Sequence, residues 1–211
     1  MSKNVLAAAA VLLGLAGVAS ADVWVETGDA GALAPGQETV GSGPLTSILG
    51  VLEGNNARGA DFEDVYCIRI TDPMNFRATT IGGAAFDTQL SLFDAMGNGI
   101  AFNDDSSGLQ SLITNAFTAA LPAGVFALAI SGFDHDGLDA GGLEIFADTP
   151  FGGERGPTAG RGPLASWGGI GSIGTYSITL VGAEFCNIPT PGAAALAGLG
   201  GLALLKRRRN K

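Results

Sequence analysis

The stretch GVFALAIS, residues 124–131, alternates two kinds of apolar side chain. Phe126, Leu128 and Ile130 fall on one side, and Val125, Ala127 and Ala129 on the other. A period of two with the large side chains on one face marks a half-buried antiparallel strand. GTYSITLV, residues 174–181, repeats the pattern, with Tyr176, Ile178 and Leu180 opposing Thr175, Ser177 and Thr179. In VYCIRI, Tyr66, Ile68 and Ile70 oppose Cys67 and Arg69. Further short strands are expected over 45–52, 64–71, 75–80, 88–93, 99–103, 113–118 and 143–146, with turns such as AMGNG and LPAG between them. Thirty-four glycines and only 7% aromatic residues suit a turn-rich all-β chain better than a helical bundle. The expectation is an antiparallel sandwich or barrel. No internal repeat supports a solenoid.

Working outward, both ends of the chain differ from this middle. Residues 1–21 carry Lys3, an apolar run and a terminal Ala19-Ser20-Ala21, the pattern of a signal peptide cut before Asp22. Residues 22–44 hold one short strand candidate and many turn-formers, and read as an N-terminal arm. Residues 45–187 form the expected sandwich domain. Residues 188–211, IPTPGAAALAGLGGLALLKRRRNK, join two prolines, a short apolar run and a basic cluster. As a helix, the run from Gly192 to Leu205 would span only ~21 Å at about 1.5 Å per residue. The hydrocarbon core of a bilayer is about 30 Å thick. The run is therefore marginal as a permanent anchor, and the four bases at its end suit a buried core helix poorly. Lys206, Arg207, Arg208 and Arg209 would remain cytoplasmic.

Export changes the electrostatics. The twenty acidic residues lie between Asp22 and Glu184 with only five arginines, leaving the exported part at −15. Such a surface repels nucleic acid and anionic lipid and attracts divalent cations. The two cysteines, Cys67 and Cys186, permit one disulfide in an oxidising compartment, the alternative being two unpaired thiols.

The segment FDTQLSLFDAMGNGIAFNDD, preceded by EDVYCIRI and followed by PAGVFALAISGF and GTYSITL, resembles the bacterial pre-peptidase C-terminal domain. The matching residues are Asp64, Tyr66, Phe86-Asp87-Thr88, Leu90, Leu92, Asp94, Gly97, Asn103-Asp104-Asp105, 122–124 and 174–180. The resemblance implies a jelly-roll-like antiparallel β-sandwich without catalytic residues, here with an N-terminal signal helix and a short C-terminal hydrophobic helix. Phe126 stands where that family has tyrosine, and the stretch 147–172 is long for it. The tail resembles the PEP-CTERM sorting signals, with Pro189-Thr190-Pro191-Gly192 carrying threonine in place of glutamate. That resemblance implies two processing partners, signal peptidase and an exosortase-like sorting protease. It also implies transient anchoring in the inner membrane and delivery to the cell surface or matrix.

Two acidic stretches suit a hard cation. FNDDSSG offers Asn103, Asp104 and Asp105, and FDHDGLDAGG offers Asp134, Asp136 and Asp139 in a glycine-containing loop. Calcium takes six to eight oxygen ligands of this kind. Gly137 falls at the fourth position of the second loop and Ile145 at the twelfth, so it is not an EF-hand. The plain alternative is turn chemistry, in which Asp and Asn cap backbone amides. His135 is the only histidine, and no G-x-S-x-G, H-E-x-x-H or C-x-x-C pattern accompanies it. The chain is read as non-enzymatic, ahead of a secreted hydrolase. Trp167, in the Gly/Pro-rich stretch 147–172, is the best candidate contact for an extracellular polysaccharide or other polymer. The alternative is an aromatic plug on the sandwich.

Overall fold

The computed structural model describes residues 22–56 and 59–187. The expected signal peptide and the tail residues Pro189, Thr190, Pro191, Gly192, Lys206, Arg207, Arg208 and Arg209 lie outside them. The described chain is all-β, with fifteen strands in mixed and antiparallel sheets, consistent with a β-sandwich. In chain order the strands are β1 (Asp22–Val25), β2 (Gln37–Glu38), β3 (Leu45–Leu52), β4 (Gly54–Asn56), β5 (Gly59–Asp61), β6 (Glu63–Ile70), β7 (Arg77–Thr79) and β8 (Thr88–Asp94). They continue with β9 (Gly99–Asn103), β10 (Leu112–Ile113), β11 (Gly124–Gly132), β12 (His135–Asp139), β13 (Leu164–Gly169), β14 (Gly174–Val181) and β15 (Ala183–Phe185).

One sheet runs β1-β3-β14-β7-β10, and the other runs β15-β6-β11-β8-β9. Strand β2 pairs with β6 at Tyr66 and Cys67, while β15 pairs at Ile68 to Ile70, so the two share one edge. The 22–44 segment is thus built into both sheets, through β1 parallel to β3 and β2 parallel to β6. Between the sheets lies the main core. Leu45, Ile48, Leu52, Ile178 and Leu180 meet Ile68, Ile70, Leu90, Leu92, Leu128 and Ile130, all essentially buried.

The six-stranded sheet is covered on its other face too. Val65, Phe93, Phe102, Ala127 and Ala129 form a second cluster with Ile145, Phe146 and Leu164. This corrects the half-buried reading of β11, because Ala127 and Ala129 are as buried as Leu128. The cover comes from residues 135–169. Strands β12 and β13 pair there, where a calcium loop and a long irregular loop were expected. No strand forms over 143–146; Ile145 and Phe146 instead insert into the second cluster. Phe146 stacks on Phe102 at 5.3 Å between ring centroids and tilts against Phe93 at 5.7 Å. Small side chains on β11 leave depth for these rings.

Cys67 and Cys186 are disulfide-bonded, joining mid-β6 to the end of the domain across 119 residues. In the main core, Tyr66 Oη lies 2.5 Å from Tyr176 Oη, which donates to Asp64 Oδ2 at 2.5 Å. Gly50 is required here, since a Cβ would collide with the Tyr176 hydroxyl. Asp64 has no solvent exposure, and burial is the main force pushing its carboxyl up to about 8.

Two outcomes follow. Replacing Phe146 with Ala should cost about 3–5 kcal/mol, the usual range for a buried ring, measured by denaturant unfolding. A cost under about 1 kcal/mol would mean that the outer cluster is not core. Asp64 also makes stability pH-dependent. Its folded pKa is raised, so its contribution is complete below about 4 and is lost as pH rises through about 8. Melting temperatures from pH 4 to 9 should therefore decline less steeply in Asp64→Asn than in the parent chain.

Candidate metal centre

The hairpin of β8 and β9 sets the geometry of the candidate site. Leu90 pairs with Asn103 and Leu92 with Ala101, so the residues just before β8 lie beside those just after β9. Asp87 is thereby brought to Asp104 and Asp105. One carboxylate oxygen from each of the three lies within 4.8 Å of the others. Asp104 has no solvent exposure, yet neither of its carboxylate oxygens has a hydrogen-bond partner. Oδ1 of Asp87 and Oδ1 of Asp105 are also buried without partners. Buried polar atoms of this kind are rare in folded proteins, and an orphaned carboxylate carries a large desolvation cost.

The electrostatics agree with the geometry. Burial, followed by the charges of Asp105, Asp87, Asp148 and Asp136, pushes the Asp104 carboxyl up to about 7. Burial and then Asp105 raise that of Asp87. A cation placed among the three would reverse both effects, because it favours the charged carboxylates. The donors are all carboxylate oxygens, with no imidazole or thiolate among them, which selects a hard ion of the calcium type over zinc or copper. The three side chains can supply up to six oxygens, and water can complete the shell.

The sequence-derived ligand sets are only partly assembled. Asp104 and Asp105 are in the cluster, while the Asn103 amide is engaged by backbone groups. Its Nδ2 donates to the Asp105 carbonyl at 3.2 Å, and its Oδ1 accepts from Leu112 N at 2.6 Å, so it braces the turn. Asp134, Asp136 and Asp139 do not converge, because this stretch is largely strand instead of loop. Asp139 caps turns, accepting from Gly141 N, Leu143 N and Gly162 N. These bonds hold its carboxyl below the ordinary range. Asp134 is exposed in a left-handed conformation (φ 64°). Asp136 faces the neighbourhood of the cluster without joining it; burial first, then Asp148 and Glu144, lift its carboxyl to about 6. Asp87 was missed as a member of the cluster, and the hairpin register, shifted by one residue at Leu92/Phe93, sets Thr88 and not Asp87 opposite Asp105.

A second polar constellation surrounds His135. Its Nε2 lies 2.7 Å from Glu63 Oε2 and its Nδ1 lies 3.0 Å from the Gly169 carbonyl. Burial opposes charge on the ring, but Glu63, the Gly169 carbonyl and Asp136 outweigh it and raise the pKa. The Trp167 indole stacks on this imidazole at 5.8 Å and 6° and donates Nε1–H to the Ala32 carbonyl at 2.6 Å. Trp167 borders a cleft of about 510 Å³ with Phe62, Glu63 and Ile170, but its N–H and part of its face already serve packing.

No family model matches the chain, and neither a curated protein nor a solved structure is significantly similar to it.

Millimolar Ca²⁺ is expected to raise the melting temperature over an EDTA-treated sample, and Asp104→Asn to abolish the rise. The difference should be larger at pH 8 than at pH 5.5, because protons compete for Asp104 below about 7. An equal rise in Asp104→Asn, or none in the parent chain, rejects the site.

Proposed function

We propose a secreted, non-catalytic β-sandwich protein that carries a structural calcium ion and is delivered by its tail to the cell surface or extracellular matrix, where it has a structural or adhesive role. The observation that carries the calcium reading is Asp104, buried and unpartnered between Asp87 and Asp105. Calcium is abundant outside cells, and the Cys67–Cys186 disulfide suits the same oxidising side of the membrane.

The jelly-roll-like, pre-peptidase C-terminal reading belongs to this proposal, as do signal peptidase and an exosortase-like protease as processing partners. The non-catalytic reading draws support from His135, whose two ring nitrogens face Glu63 and Gly169 instead of a serine. Polymer binding through Trp167 draws less support, because that side chain is tied to Ala32 and His135.

Mass spectrometry of the protein recovered from its native surface tests the processing. The expected product starts at Asp22 and ends near Pro191. A product retaining residues 1–21 and the basic cluster would contradict the sorting reading.

A further inference from the structure

A fourth carboxylate approaches the centre from another layer. Asp148 belongs to the segment that leaves the second core cluster after Phe146, and its Oδ1 is buried without a partner. Its charge bears on both Asp104 and Asp136. The segment that follows lies along the free edge of β9. Phe102 N donates to the Arg155 carbonyl at 2.8 Å, and Arg155 N returns a bond to the Phe102 carbonyl at 2.9 Å. Asp105 N donates to the Phe151 carbonyl at 3.2 Å, and Gly153 N donates to the Asp105 carbonyl at 3.2 Å. Asp105 is thus both a member of the acidic centre and the backbone partner of this segment. Phe151 meets Phe133 edge to face at 5.5 Å, and the Arg155 guanidinium lies 5.8 Å from the Phe102 ring centre.

These contacts oppose one another in sign. Without a cation, the charge of Asp148, carried on a short, largely exposed strap, opposes that of Asp104, although its carboxylate stands outside the tight group of Asp87, Asp104 and Asp105. With a cation, the same charges attract to a common centre. We infer that the bound cation fastens the 147–155 strap to the edge of β9, with Asp148 as the ligand the strap delivers, so that calcium closes the cover over Phe102 and Phe146. This rests on the calcium reading of the centre and adds a switch to it: the sandwich stands in both states, while the strap opens when the ion leaves. A cover of this kind would seal where calcium is millimolar and stay loose where it is scarce.

The arginines make the strap easy to interrogate. Arg155 lies within it, whereas Arg69 and Arg77 lie in strands of the sandwich. The full chain is digested with a trace of trypsin in EDTA and in 5 mM Ca²⁺ (~5 mM, extracellular-like and chosen to saturate a millimolar site), and cuts are located by mass spectrometry. Cleavage after Arg155 should be at least about tenfold faster in EDTA, with Arg69 and Arg77 protected in both. Asp148→Asn should keep a Ca²⁺-induced rise in melting temperature but lose most of the protection at Arg155. If calcium raises the melting temperature while Arg155 is cut equally with and without it, the switch is overturned and the site stands. If calcium changes neither, the site falls with it. Full protection in Asp148→Asn would remove that residue from the ligand set.

Discussion

The six-stranded sheet has to be dry on both faces. Its central strand β11 carries Phe126, Leu128 and Ile130 on one side and Ala127 and Ala129 on the other, and every one of them is buried. A sandwich covers only one of these faces, so the chain supplies a further layer from residues 135–169. Phe146 and Leu164 settle on the outer face, and Trp167 pins the layer to the 29–36 turn through Ala32. The acidic centre sits where this added layer meets the sandwich. The same excursion that completes the core therefore also carries Asp148 close enough for its charge to bear on Asp104.

Placing so many carboxylates in that seam works against folding unless something neutralises them. Protons are one solution, and the upward shifts of Asp104 and Asp136 express it. A divalent cation is the other, and it is the one the proposed function invokes. Elsewhere the chain resolves buried charge differently. Asp64 is bonded to Tyr176 and to the Ala30 amide, and Glu63 is paired with His135. Among the buried carboxylates described, Asp104 alone has both oxygens unpartnered.

Much of the frame was legible in the sequence. The expected 45–52, 99–103 and 174–181 strands coincide with β3, β9 and β14, and 124–131 falls one residue short of β11, because short runs bounded by turn residues, with side chains alternating in β11 and β14, read as strands. Strands β12 and β13 were not legible. HDGLD reads as a turn from its aspartates and glycine, and LASWGG lies among prolines and glycines, so local composition opposes pairing that tertiary packing imposes. The outer face of β11 was misjudged for a related reason, since Ala127 and Ala129 look like weak surface residues until Phe146 is placed over them. Within the centre, Asp104 and Asp105 were singled out from their own clustering, while Asp87 was hidden by the one-residue register shift in the hairpin. Asp148 had no local signal, because only the path of the excursion brings it near.

The central claim is that the Asp87, Asp104 and Asp105 centre holds a calcium ion. Isothermal titration of Ca²⁺ into the chelator-stripped chain at pH 8 tests it most directly. One ion per chain is expected, with its binding heat absent in Asp104→Asn and present in Asp134→Asn, whose carboxylate stands outside the centre. Absence of binding to the parent chain, or binding unaffected by Asp104→Asn and lost in Asp134→Asn, would contradict it.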